Sequence, residues 1–164
     1  MIWGCFMSNK IGSIALIDGM VTSDVYITVL TNKLVPFFDA LNADGITDIV
    51  FQQDNASSHV SKKTREFLTN TARQHGFVVM NWPPNSPDMN PIENLCAHLK
   101  LELHRRYPDT STLRGSPATI KQALADRLTE VWWDIGEGVL DRLIESIPQH
   151  VAALITAKGW YRHC

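Results

Sequence analysis

Asp54 and Glu93 are the residues from which this chain could most readily build a reactive centre. Asp54 follows Ile49-Val50-Phe51, a short apolar run with strand character, and stands where a helix-forming segment begins. Ligands in α/β sheets collect at such strand ends. Glu93 lies three residues after Asn90, on a helix that arrives from a proline-rich loop. Two carboxylates delivered in this way can converge on one divalent ion. Magnesium takes few protein carboxylates and keeps water or phosphate as its other ligands. A pair of such ions activates an attacking hydroxyl and stabilises the leaving oxygen in phosphodiester cleavage or transfer. Each acid also has a plain structural reading. From position alone Asp54 reads first as a helix N-cap. Asn90-x-x-Glu93 fits a capping box, in which the glutamate folds back to the N-cap amide. Acidic pairs are common, and spacing alone leaves both readings open.

The elements that must position these acids are legible along the chain. Ile2-Trp3-Gly4-Cys5-Phe6-Met7 and residues 11–17 are two β-like runs around a Ser8-Asn9-Lys10 turn, a hairpin that ends at Asp18-Gly19. Ser23 offers an N-cap, and Tyr26, Val29, Leu30, Leu34, Phe37, Phe38 and Leu41 follow at helical spacing. Pro36 inside that pattern predicts a kink or a break. After the Ile49-Val50-Phe51 strand, Val60, Thr64, Phe67 and Leu68 make a helical face, and residues 77–80 a further strand. Residues 82–91 form the proline-rich loop. Asn90 as N-cap and Pro91 at the first helical position then open a helix with Ile92, Leu95, Cys96, Leu99 and Leu103 on one face. A polar connection over 108–117 leads to helices through Ile120, Leu124, Leu128, Val131 and Trp132, then over 139–147 and 151–157. Strands alternating with helices predict an α/β sheet flanked by helices, with a helical C-terminal tail.

Composition sets the outer bounds. At 164 residues, with 45% hydrophobic and 20% charged residues, the chain suits one globular domain over 1–164. No apolar run is long enough to cross a bilayer, so no membrane partner is expected, and no secretory signal is evident. Cys5, Cys96 and Cys164 are scattered, which suggests neither a disulfide framework nor a zinc site and fits a reducing, intracellular compartment. A net charge of −2 argues against gripping DNA by bulk electrostatics, so any such contact must come from local basic clusters. Lys62, Lys63 and Arg65 after Asp54, and Lys100, His104, Arg105 and Arg106 after Glu93, are two such clusters. They read equally as solvated helix faces or as phosphate contacts.

The strings around the acids carry a family resemblance. Gln52-Gln53-Asp54-Asn55-Ala56-x-x-His59 resembles the second-aspartate motif of Tc/mariner-superfamily transposases. Trp82-Pro83-Pro84-Asn85-Ser86-Pro87-Asp88-Met89-Asn90-Pro91-Ile92-Glu93-Asn94-Leu95 is similar to the loop and helix that carry the family's third acid. Trp3-Gly4-Cys5-Phe6, Gly12, Ile17-Asp18-Gly19 and the segment 26–30 resemble its hairpin and first helix. Trp132, Ser146-Ile147-Pro148 and Ala157-Lys158-Gly159 match its C-terminal helices more loosely. The resemblance implies an RNase H-like mixed sheet and a DDE triad, with Asp54 as the second aspartate and Glu93 as the third acid. It implies two-metal chemistry with Mg2+ or Mn2+. It further implies DNA as partner, both transposon ends and target, with Asn55, His59, Lys62, Lys63, Lys100 and Arg105 as candidate substrate contacts. A homodimer and a nuclear site of action are compatible with that role. Asp88 matches a family aspartate that is not catalytic and reads as a turn or capping residue. The 38 residues between the acids exceed the usual spacing, and the excess is assigned to residues 69–76.

The sequence also departs from the family. The family's first aspartate sits on a strand ahead of Trp3-Gly4-Cys5-Phe6, and neither Asp18 nor Asp24 matches it. The expected fold therefore has its first strand missing, with open sheet edges, and the expected activity of the chain alone is lost. Cys96 stands where tryptophan is frequent, Gln149-His150 where a basic residue is, and the upstream helix-turn-helix region is not in this chain. Two function classes remain open. One is a transposase catalytic domain for DNA cleavage and strand transfer with an incomplete triad. The other is a non-catalytic remnant or a domesticated DNA- or protein-binding module.

Overall fold

A computed structural model describes residues 1–83, 86 and 89–156 of the chain. Pro84, Asn85, Pro87 and Asp88 of the proline-rich loop, and Ala157, Lys158, Gly159 and Cys164 near the C-terminus, lie outside the described residues. Contacts cluster into two compact units, Met1–Cys5 with Gly12–Pro87, and Phe6–Ile11 with Asp88–Cys164.

The expected hairpin forms from β1 (Ile2–Met7) and β2 (Lys10–Leu16), with Met1–Cys5 and the strand from Gly12 onward assigned to the first unit. Its open end is closed by a reciprocal pair of bonds between Met1 and Ile17, of 2.9 and 2.8 Å. Gly12 is required on β2: a Cβ there would lie 2.5 Å from Cys5 Sγ and 2.9 Å from Cys5 O across the hairpin. The same packing buries the Cys5 thiol, and loss of water pushes its pKa up to about 12, so the thiol stays protonated at neutral pH.

Helix α1 (Ser23–Val29) starts one residue earlier than the capping pattern predicts. Thr22, not Ser23, is the N-cap, accepting the Val25 N–H on its hydroxyl. The expected break at Pro36 does not occur. One π-helical turn, Leu30–Leu34, widens the spiral and runs directly into α2 (Val35–Ala43), with Pro36 in the first turn of that helix. Val35 N–H bonds Leu30 O, five residues back, and Pro36 sits where a missing N–H costs little. The apolar spacing is thereby kept: Tyr26, Leu30, Leu34, Phe38 and Leu41 are all buried.

β3 (Ile49–Phe51), α3 (Lys62–His75) and β4 (Phe77–Val79) form a β-α-β unit whose strands pair in parallel, Ile49 with Phe77 and Phe51 with Val79. Residues 69–75, to which the extra spacing was assigned, are the last two turns of α3. Gly76 ends the helix at φ 71°, where its N–H reaches Ala72 O. Phe38 stacks on Phe77 at 4.2 Å and meets Phe51 edge-on at 6.1 Å, tying α2 to both strands.

Helix α4 (Pro91–Arg106) dominates the second unit, burying Leu95 and Leu99 against α5 (Pro117–Trp133) and α6 (Glu137–Thr156). Leu128, Val131, Trp132, Ile135 and Leu140 complete that core. A 3-10 turn, Pro108–Thr112, is held to α5 by Arg127, which donates to both Asp109 oxygens at 3.1 and 2.9 Å and lies over the Tyr107 ring. The two helices expected over 139–147 and 151–157 are one helix through Pro148. Pro148 is exposed, so the carbonyl that loses its donor there can be solvated.

The fold class is α/β as expected, but among the described residues the strands make two two-stranded ladders, β1-β2 and β3-β4, rather than one mixed sheet. Replacing Gly12 by alanine is expected to destabilise the chain by about 1–3 kcal/mol. Adding Cys5→Ala should recover only part of the loss, because the contact with Cys5 O remains. Urea midpoints of the two variants check this, and an unchanged midpoint in Gly12→Ala would contradict the packing.

Candidate functional site

Asp54 lies three residues past β3, in the segment that connects that strand to α3. It is not a helix N-cap: α3 begins at Lys62, and Ser61 caps it by accepting the Thr64 N–H. Asp54 Oδ1 instead accepts the Ala56 N–H at 3.0 Å and meets His59 Nδ1 at 2.5 Å. A carboxylate offers only lone pairs, so Nδ1 carries the proton in this contact. Among the described residues Oδ2 takes no hydrogen bond, and the side chain is half exposed.

The segment around Asp54 is pinned at nearly every turn. His59 and Val60 N–H both return to Ala56 O, Thr64 Oγ1 donates to Ser58 O at 2.6 Å, and Asn55 Nδ2 donates to Trp82 O at 2.9 Å. Beneath it lies Tyr26, 1% exposed, whose hydroxyl donates to Gln53 Oε1 at 2.7 Å. Gln53 Nε2 in turn donates to His59 O, and the Tyr26 and His59 rings stack at 4.0 Å. Burial raises the Tyr26 hydroxyl well above its ordinary pKa, a hydrogen bond from Trp3 opposes the rise, and the charge of Asp54 adds to it.

Glu93 belongs to the second unit, in the first turn of α4. Asn90 is the N-cap as expected, but its side chain accepts the Ile92 N–H at 3.4 Å. Among the described residues the exposed Glu93 carboxylate has no hydrogen-bond or ion-pair partner, so the capping box is not formed. Cys96, one turn on, feels both Glu93 and Lys100; burial first, then Glu93, raises its thiol pKa while Lys100 lowers it. The three side chains therefore share one stripe of α4.

The basic candidates divide. Lys63 pairs with Asp24 on α1. Arg105 grips Glu102 on its own helix, donating from both Nε and Nη2, and holds that carboxyl below its usual range. Lys62 and Lys100 are exposed and have no ion-pair partner among the described residues. His59, a candidate substrate contact, precedes α3 and is committed to Asp54 and Tyr26.

Sequence reasoning placed Tyr26 in the core but missed its hydroxyl, and it missed Trp3, Gln53 and Thr64 as supports of the segment. Only Gln53, polar and just beyond a buried strand, carried a signal. As donors for a metal, the open Asp54 Oδ2 and the Glu93 carboxylate are hard oxygen ligands of the kind Mg2+ or Mn2+ takes. Among the described residues no three His, Cys, Asp or Glu side chains are grouped to hold an ion. Nor is any helix there long and apolar enough to cross a membrane.

Comparison with known proteins gives the family. A sequence model described as DDE superfamily endonuclease matches residues 2–114, which include both acids. The chain is 34% identical over 160 residues to the transposable element Tcb2 transposase of Caenorhabditis briggsae, covering 98% of this chain and 52% of that protein. It is likewise 34% identical over 160 residues to the Tc1 transposase of Caenorhabditis elegans, again 98% and 52%. The chain thus spans about half the length of the transposases it matches. Its backbone is similar to the crystal structure of the catalytic domain of Mos1 mariner transposase, with a TM-score of 0.66 at 19% identity over 92% of this chain and 69% of that one. A second structure of that domain, with raltegravir and Mg, gives the same TM-score. The fold is RNase H-like.

Tyr26→Phe removes the donor to Gln53 and the acceptor for Trp3. It is expected to cost about 1–3 kcal/mol of stability and to speed amide exchange over residues 53–60. Exchange followed by mass spectrometry checks this; unchanged protection of that segment would show that Tyr26 does not support it.

Proposed function

The chain belongs to the DDE superfamily endonucleases as a Tc/mariner transposase catalytic domain, and on that premise we propose that it cleaves and rejoins DNA with Asp54 and Glu93 as metal-binding acids. The observation that carries the reading is the Asp54 carboxylate, fixed through Oδ1 beyond the end of β3 with Oδ2 left open. Support comes from Glu93, exposed and unpaired among the described residues within the same family match.

Asp54 and Glu93 would hold Mg2+ or Mn2+. When bound, such ions lower the cost of making a hydroxyl nucleophile and of charging the leaving oxygen of a phosphodiester. The protein's own contribution is to hold the acids and to seat the DNA. Asp54 is immobilised by two donors, and Glu93 rides on a helix whose Leu95 and Leu99 are fully buried. Lys62 and Lys100 are the better phosphate contacts, because engaging Lys63 or Arg105 would first break the pairs with Asp24 and Glu102. Asn55, tied to Trp82 through Nδ2, would offer its side-chain oxygen to substrate. The reading extends to transposon ends and target DNA as substrates, to a homodimer, and to a nuclear site of action.

In the transposase at its natural length, Asp54→Ala or Glu93→Ala should each lower metal-dependent strand cleavage by about a hundredfold or more, since several kcal/mol of charge stabilisation would be lost. Nicking of supercoiled plasmid in Mg2+ or Mn2+ is the assay. Cleavage that survives both substitutions would contradict the roles given to Asp54 and Glu93, whereas DNA binding that survives them, with no metal-dependent cleavage in the parent, would favour the non-catalytic binding module. Lys62→Ala and Lys100→Ala should weaken DNA binding alike on unrelated sequences and flatten its salt dependence. Sequence-selective losses would contradict a phosphate role.

A further inference from the structure

His59 does not present a free imidazole to a substrate. Its side chain is 20% exposed, its ring lies on the buried Tyr26 ring at 4.0 Å, and its carbonyl is held by Gln53. Nδ1 is spent on Asp54 Oδ1 at 2.5 Å, and the Ala56 N–H occupies the same oxygen. Two donors on one carboxylate oxygen fix the plane of the group and leave the other oxygen as its free ligand atom. We propose that His59 is a positioning residue for a divalent cation: by holding Asp54 Oδ1, it presents Oδ2 as a preorganised, single-oxygen ligand.

The proposal rests on the reading of Asp54 as a metal ligand and deepens it. It moves His59 from substrate contact to support of the acid, and it extends the support inward to Tyr26 and Gln53. Donors that bond a ligating carboxylate tune metal affinity nearly as strongly as the ligands do, with losses of about 10–100-fold on removal. A rigid carboxylate also loses less freedom when the ion arrives.

Mn2+ binding to the chain, read from the electron paramagnetic resonance signal of the free ion, tests this without any measure of cleavage. His59→Phe keeps a ring on Tyr26 but removes the N–H. His59→Asn keeps an amide N–H near the position of Nδ1 but removes the ring. Asp54→Ala reports whether Asp54 binds the ion at all, and thermal unfolding establishes that each variant is folded. The expected result is Mn2+ affinity lower by about tenfold or more in His59→Phe at an unfolding midpoint close to the parent's, with most of the loss recovered in His59→Asn. If Asp54→Ala abolishes binding while His59→Phe binds as the parent does, the positioning role is wrong and the metal reading stands. Equal losses in the Phe and Asn variants would show that an N–H restored beside Asp54 does not restore binding, and would overturn the proposal. Unchanged binding in Asp54→Ala would overturn the metal reading and this inference with it. Should His59→Phe fail to fold, Tyr26→Phe with its hydroxyl removed supplies the second route: weakened Mn2+ binding is expected as Gln53 and His59 loosen, and parent-like binding overturns the proposal.

Discussion

Burying a tyrosine is favourable only if its hydroxyl finds hydrogen-bond partners, and Tyr26 finds them in the segment that carries Asp54. Its ring sits in the core of the first unit, with Leu30 and Leu34 one and two turns further along the same helical run. Its hydroxyl reaches Gln53, its face supports His59, and through these two residues the core reaches the acid. A segment of ten residues without helix or strand is ordinarily adaptable. Here it is locked by side chains that must be satisfied because they are buried or half-buried, so the position of Asp54 follows from the packing of α1 rather than from the segment itself.

Glu93 is held by a different device. Nothing among the described residues bonds its carboxylate; instead Pro91 and the Asn90 cap fix where α4 starts, and burial of Leu95 and Leu99 fixes which side faces out. Two ion pairs, Arg106 with Asp134 and Arg127 with Asp109, and a cation-π contact then brace the far end of the helix and its 3-10 turn against α5. One acid is thus positioned by a polar network and the other by helix phase. The two therefore differ in vulnerability: single polar substitutions threaten Asp54, whereas large-to-small changes in the α4 core threaten Glu93.

Much of this was legible in the sequence. Strand delivery of Asp54, the Asn90-Pro91 helix start and the buried face of α4 followed from apolar period and capping chemistry, and the long motif strings identified the family. What the sequence did not show was long-range and polar. The Tyr26–Gln53 bond joins residues 27 apart, and the Asn55–Trp82 tether another 27, and no local pattern encodes either. Proline did not end either helical run that contains it. At Pro36 a π turn, and at Pro148 solvent exposure, supplied what the missing N–H took away, so neither helix broke. The mixed sheet was what the family resemblance implied; alternation of elements predicts strands and helices but not which strands pair.

The central claim is that Asp54 meets a divalent ion through Oδ2 while His59 holds Oδ1. Anomalous scattering from a crystal of the chain soaked in Mn2+ tests it most directly. The account predicts a manganese peak at inner-sphere distance from Asp54 Oδ2, with His59 Nδ1 still on Oδ1. A peak ligated by a His59 nitrogen, or bound manganese with none at Asp54, would contradict it.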